Sequence, residues 1–227
     1  MFFDSTYMLM VMLPTLIISG LAQWYLRNTY SKWSNTANSN NFAGAETARH
    51  IMRHANLNVS LETTPQELGD HFDPSSEIVR MSPGVAQRPS VASMAIVAHE
   101  LGHAQQHQEK SPLMTARNFL VPAVQFSPTV SYVLILAGLF LGIAGLAWAG
   151  IAFFGLSVLF MILTLPVEFD ASRRGMKLLE EAGLTRTAED TKGARQVLTA
   201  AAFTYIAAAI SSILTLLYYV SLVSRRD

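Results

Sequence analysis

Charge is missing from three long stretches of this chain, and that absence limits the fold more than any other feature. No Asp, Glu, Lys or Arg lies between Asp4 and Arg27, between Arg117 and Glu168, or between Arg195 and Arg225, gaps of 22, 50 and 29 residues. A helix needs about 20 predominantly apolar residues to span a bilayer. The first and third gaps therefore hold one span each. The second holds two, read as residues 129–147 and 150–166 with Trp148 near the tip of a hairpin. Both halves are short, which would tilt the hairpin or thin the bilayer locally. Gly138, Gly142, Gly145, Gly150 and Gly155 would let its two helices pack closely. The alternative, a buried hairpin in a water-soluble core, conflicts with so long a run without one charge. Composition agrees, at 51% hydrophobic and 14% charged, which is too apolar for an ordinary soluble domain. The N-terminus carries Asp4 where a signal peptide carries basic residues, and no small-residue cleavage site follows. It reads as a retained anchor.

Four spans place residues 27–128 and 168–195 on one side of the membrane. Those segments hold 14 of the 16 Lys and Arg residues. The positive-inside rule puts them in the cytoplasm and both termini outside, although the same segments hold 14 Asp and Glu and Arg225-Arg226 would be exported. Net charge is zero, and no basic stripe is interleaved with aromatics, so no nucleic acid partner is indicated. There is no cysteine, which excludes disulfides and thiolate metal ligands.

Inside the first polar segment lies His99-Glu100-Leu101-Gly102-His103, the pattern H-E-x-x-H. Pro89, Ser90 and Ser93 suit a helix start, and Val91, Met94, Ala95, Val97 and Ala98 supply an apolar body. Two histidines four apart rise about 6 Å along a helix and share one face. Their imidazoles can meet on one zinc ion, with Glu100 close enough to take a proton from the water that zinc activates. Gly102 leaves room between the histidines for a partner element or a substrate. The plainer reading is a buried helix whose histidines are satisfied by hydrogen bonds.

A hydrolytic zinc site needs a third protein ligand and one open position. His107 continues the i, i+4 ladder, but three residues so spaced form a row about 12 Å long, too long to surround one ion. His107 is assigned to the surroundings of the site or to the surface. The better candidate is Glu168 in Pro166-Val167-Glu168-Phe169-Asp170-Ala171-Ser172-Arg173-Arg174, the first charge after the long apolar run and the expected opening of a helix ending near Gly183.

Elsewhere, residues 31–41 read as a polar juxtamembrane linker and 43–55 as an amphipathic helix with His50 and His54 on a solvated face. Residues 58–62 suit a short strand. Asp73-Pro74-Ser75-Ser76 is turn chemistry, and Ile78-Val79-Arg80-Met81 looks like a strand, giving a hairpin. In zinc proteases with this helix motif an edge strand holds extended substrate through main-chain hydrogen bonds. Ile78, Val79, Arg80 and Met81 are the candidates for that role, with a purely structural hairpin as the alternative. His71 is either a polar group at the site or a local turn stabiliser. Residues 188–193 form a loop or helix start before the last span.

These residues resemble a known family. His99 to His107, Asp70-His71-Phe72-Asp73-Pro74, the block around Glu168, and Gly193-Ala194-Arg195-Gln196-Val197-Leu198 with the alanine-rich run after it look, in this order, like the YugP-type neutral zinc metallopeptidases of bacteria, distant relatives of the HtpX-type and CAAX prenyl endopeptidases. The resemblance covers nearly everything from residue 42 onward. It implies a membrane-integrated zinc peptidase with His99, His103 and Glu168 as ligands and Glu100 as base. Thermolysin-like relatives carry an Asp four residues after the ligand Glu, where it orients a zinc histidine. Here Ser172 holds that place and Asp170 comes two residues after the ligand, so Asp170 and Ser172 are candidates for fixing the imidazoles.

The expected fold is a mainly α membrane protein of about four transmembrane helices with a zincin-like, gluzincin-type catalytic part carrying a small β-hairpin. The segments are an anchor (1–28), the catalytic part with the motif helix (29–128), a membrane hairpin (129–167), a second catalytic segment (168–196) and a C-terminal span (197–227). The expected activity is zinc-dependent hydrolysis of peptide bonds in membrane or juxtamembrane substrates, at the bacterial cytoplasmic membrane, with a regulatory or inhibitory partner left open. Two rivals stand. A non-enzymatic zinc-stabilised scaffold has no use for Glu100. An intramembrane protease would not place Ser90, Ser93, Gln105, Gln106 and Glu109 around its motif.

Overall fold

The computed structural model describes residues 5–67 and 69–225. Asp4 and Arg226, on which the readings of the two termini rest, lie outside the described residues. In chain order the elements are α1 (Ser5–Ser34), α2 (Gly44–Ala55), β1 (Ser60–Thr63), β2 (His71–Asp73), β3 (Ile78–Met81), α3 (Pro83–Gln87), α4 (Val91–Gln108), α5 (Pro112–Leu141), α6 (Ala144–Glu181) and α7 (Ala188–Ser224). The protein is therefore mostly helical with one small sheet. Helices α1, α5, α6 and α7 are each long and apolar enough to cross a membrane. The chain divides into two compact units, one formed by Met1–Gln23, Thr115–Pro166 and Thr204–Asp227, the other by Trp24–Met114 and Val167–Phe203.

The first unit is the apolar one. Its α5–α6 turn lies at Gly142 and Ile143, not at Trp148, which falls inside α6. Gly142 takes a φ of +71°, a left-handed conformation that glycine adopts at no steric cost. The helices are also longer than the hydropathy limits suggested, 30 residues for α5 and 38 for α6. Of the five glycines expected in the packing, two serve it. A Cβ on Gly138 would collide with Ala147, and one on Gly150 would come within 2.8 Å of Ile135 and Ser131. Gly145 and Gly155 have nothing within 4 Å. Ile135, Ala147, Ile151 and Val223 form the buried cluster. Outside it, Phe119 is 82% and Phe140 91% exposed, a surface suited to acyl chains rather than water.

The second unit has a conventional core built around α4. Val91, Ala92, Met94, Ala95, Val97, Ala98 and Leu101 are all buried, together with Trp33, Ile51, Met81, Leu178, Leu179 and Leu184. Ser90 caps α4, its Oγ accepting from the Ser93 N–H at 3.1 Å. The expected linker is largely structured: α1 continues to Ser34, and the following residues are tied down. Asn38 N–H donates to Pro89 O, and Val91 N–H to Thr36 O. Asp190 accepts from the Ser39 N–H at 3.1 Å. It also shares a reciprocal cap with Thr187, which starts α7 at Ala188.

The sheet has the order β1-β3-β2. β2 and β3 form the expected antiparallel hairpin, and β1 adds in parallel to the other side of β3. This corrects the substrate-strand reading of Ile78, Val79, Arg80 and Met81. β3 is central, so its main-chain groups are committed on both sides. Arg80 is likewise committed, to Glu62 on β1 at 3.2 Å and Asp73 on β2 at 2.9 Å. The strand after the turn could be recognised locally, but its second neighbour comes from residues about twenty positions upstream.

Candidate metal centre

Glycine decides how α4 and α6 meet. A Cβ on Gly102 would strike the carbonyl of Ala171, and one on Gly175 would lie 2.8 Å from the carbonyl of Ala98. The two backbones therefore run in direct contact, and Gly102 makes room for a helix. This approach carries Glu168 to the two histidines. It is not at a helix start, as expected, but in mid-helix, because α6 continues through Pro166.

His99, His103 and Glu168 offer three donor atoms that lie within 4.8 Å of one another, the one such group among the described residues. Glu168 Oε2 stands 3.3 Å from His99 Nε2 and 3.5 Å from His103 Nε2. Charge-assisted N–H···O bonds run at about 2.7–2.9 Å, so these separations are long for direct pairing. They match the edge of a tetrahedron around zinc, about 3.3–3.4 Å for bonds of about 2.0–2.1 Å. Glu168 Oε2 is buried and has no hydrogen-bond partner, a costly arrangement unless a cation satisfies it. The rings of His99 and His103 meet edge to face, 4.7 Å between centroids. Two imidazole nitrogens and a carboxylate oxygen, with no thiolate, suit zinc.

The outward nitrogens are held as well. His103 Nδ1 lies 3.0 Å from Gln106 Oε1. Gln106 is fully buried, and its Nε2 donates to Val167 O and to Asp170 Oδ2, both at 2.9 Å. Those two acceptors fix the amide, so Oε1 faces the imidazole. His103 Nδ1 then donates to that oxygen, and Nε2 is the nitrogen turned toward Glu168. Ser172 Oγ lies 3.2 Å from His99 Nδ1, within hydrogen-bond distance. Asp170 touches no imidazole; it acts through Gln106 and pairs with Arg174 at 2.7 Å. Gln106 was overlooked in the sequence. Its signal was its place three residues after the second histidine, on the same side of α4.

Glu100 is buried, and its Oε2 accepts the Phe72 N–H of β2 at 2.9 Å. Burial pushes its carboxyl above the ordinary glutamate range, against the opposing pull of His99 and His103. His107 stays apart from the cluster. It faces Glu77 at 3.7 Å and the ring of Phe72. His71 is exposed and contacts Gly69 O at 2.8 Å, the local role. His50 contacts Ala182 O at 3.1 Å, so it is more than a solvated face.

The profile of a family described as "Putative neutral zinc metallopeptidase" matches residues 7–224, and the chain belongs to that family. A relative described as "Putative membrane protease YugP", from Bacillus subtilis (strain 168), is 38% identical over 204 residues, covering 89% of this chain and 90% of the relative. No solved structure matches the chain.

Proposed function

We propose that this protein is a membrane-integrated zinc endopeptidase of the gluzincin type, with His99, His103 and Glu168 holding the metal and Glu100 as the general base. The observation that carries the reading is the spacing of two Nε2 atoms around a buried, unpartnered Glu168 Oε2. Bound there, zinc would lower the pKa of a water towards neutrality and polarise a peptide carbonyl. The chain's own groups do the rest. Glu100 keeps Oε2 on the Phe72 N–H, which leaves Oε1 to take the water proton and deliver it to the leaving amine nitrogen. Burial raises the basicity of that carboxylate. Gln106 and Ser172 hold the two imidazoles in the tautomer that faces a metal.

In this reading residues 29–128 and 168–196 form a zincin-like catalytic part, and 1–28, 129–167 and 197–227 anchor it. The substrates are peptide segments of membrane or juxtamembrane proteins. Two facts support that class: Glu168 is the first charge after a 50-residue uncharged run, and the relative is described as a membrane protease. The excess of Lys and Arg in the polar segments favours a cytoplasmic catalytic part at the bacterial inner membrane. The test compares zinc content and casein cleavage of wild type and Glu100→Gln, with and without chelator. The variant should keep its zinc and lose cleavage. Wild-type cleavage by the variant would end the base assignment.

A further inference from the structure

A second cleft, away from the metal ligands, lies where α7 begins. It measures about 670 Å³ and is lined by Tyr25, Ala188, Thr191, Lys192, Arg195, Gln196 and Thr199. Thr191, Arg195 and Thr199 follow at i, i+4, i+8, with Lys192 and Gln196 beside them, so one face of α7 makes most of the wall. Tyr25 of α1 closes it, its ring packed edge to face on Phe203. No carboxylate lines the cleft. Of the two acids beside it in sequence, Asp190 is committed to Ser39 and Thr187, and Glu189, exposed next to Ala188, is not part of the lining. Lys192 and Arg195 are exposed and have no ion pair or side-chain hydrogen bond among the described residues. Gln196 Oε1 accepts from Trp33 Nε1 at 2.9 Å, which leaves its amide NH₂ as a further donor. The wall thus offers two free cations, an amide and hydroxyls around an opening with apolar flanks.

Its position says what anion would enter. Arg195 is the last charge before the 29-residue uncharged stretch of α7, and Arg27 the first after the 22-residue stretch of α1. Trp24, 63% exposed, and Tyr25 stand beside Arg27, the aromatic signature of a headgroup layer. Basic pockets flanked by spanning helices hold lipid headgroups. We propose that this cleft binds the phosphate of an anionic phospholipid, with Lys192 and Arg195 as its cations and the acyl chains lying along the uncharged runs of α1 and α7.

The experiment uses the full-length, zinc-loaded protein purified in detergent and titrated with phosphatidylglycerol, phosphatidylcholine or inorganic phosphate. Lipid retention is read by native mass spectrometry and stability by thermal shift. Saturable retention of phosphatidylglycerol over phosphatidylcholine is expected. Lys192→Gln and Arg195→Gln should each weaken it about fivefold, and together about twenty-five-fold. The conservative pair Lys192→Arg with Arg195→Lys should retain binding, and Arg49→Gln with Arg53→Gln, which removes equal charge from α2, should leave it unchanged. Equal loss from the α2 pair would reduce the effect to general surface charge and overturn the site. Inorganic phosphate giving the full thermal shift, with phosphatidylglycerol retained no better than phosphatidylcholine, would overturn the phospholipid assignment in favour of a soluble phosphate. Unchanged retention in folded Lys192→Gln/Arg195→Gln would overturn the proposal outright.

Discussion

The same helix, α6, is approached closely twice, and the two approaches serve different ends. In the apolar unit, Gly138 and Gly150 bring α5 against residues 144–166 of α6. In the polar unit, Gly102 and Gly175 bring α4 against residues 167–181. The apolar contact is finished by hydroxyls: Ser127 Oγ donates to Phe153 O and receives Ser157 Oγ. In lipid there is no hydrophobic drive between helices, so close van der Waals contact and such bonds are the association itself. The polar contact has a hydrophobic core to hold it. Its closeness instead sets the Glu168 carboxylate and the Ser172 hydroxyl beside two imidazoles, and gives Gln106 behind one of them its acceptors at Val167 and Asp170. Small residues at a helix crossing thus mean cohesion in one solvent and positioned chemistry in the other.

The sharpest way to break this contrast is to remove the positioned group. Glu168→Ala should lower zinc affinity by more than about a hundredfold while leaving the helices of the apolar unit intact. Metal analysis beside circular dichroism reads both, and near-equal zinc occupancy would remove Glu168 from the ligand set. Next in size is Gly102→Ala. The added methyl meets the Ala171 carbonyl, so α6 must retreat and take Glu168 with it. We expect a cost of about 1–3 kcal/mol in stability together with lost zinc. Gly155→Ala, facing open space, should change neither. If Gly102→Ala cost stability but kept zinc at wild-type affinity, the link between helix approach and metal geometry would fail.

The supporting groups should rank below these. Gln106→Leu and Ser172→Ala are each expected to weaken zinc binding by about 10–100-fold. Gln106→Leu should be the worse of the two, because it also takes one donor from Asp170 and one from the Val167 carbonyl. Competition with a calibrated chelator gives the order. The smallest effect concerns pH. In the metal-free chain Glu100 has its pKa raised above 4.5 by burial. The folded state therefore keeps a proton that the unfolded chain releases from about 4.5 upward. Stability falls as pH rises from that value through the folded one, then levels. Glu100→Gln should flatten that fall in chelator-treated protein, seen in unfolding curves taken from about pH 4.5 upward. A fall equally steep in the variant would assign the pH response to other groups.

Much of this site was legible because its chemistry is local. The spacing of His99 and His103 places two imidazoles on one helix face through backbone geometry alone, and a run of 50 residues without charge excludes an aqueous surface whatever surrounds it. The family resemblance rests on such local blocks. Less was legible where the partner is distant. Nothing near Ile78–Met81 announces that β1 will pair with its second edge. Nothing near Gln106 shows that Val167 and Asp170 will receive its amide. The α5–α6 turn was misplaced because hydropathy varies smoothly there, while the bend depends on one left-handed glycine.

By itself, the sequence determined the kind of solvent each segment requires and the pair of nitrogens that can share an ion, since both follow from composition and helical pitch. Only the tertiary structure brought Glu168, the acid the sequence offers 65 residues beyond His103, within 3.5 Å of both nitrogens, and set Gln106 rather than Asp170 against an imidazole. That choice depends on how near two helix backbones can come, and the limit is set by what each presents to the other: a hydrogen atom at Gly102 facing a carbonyl at Ala171.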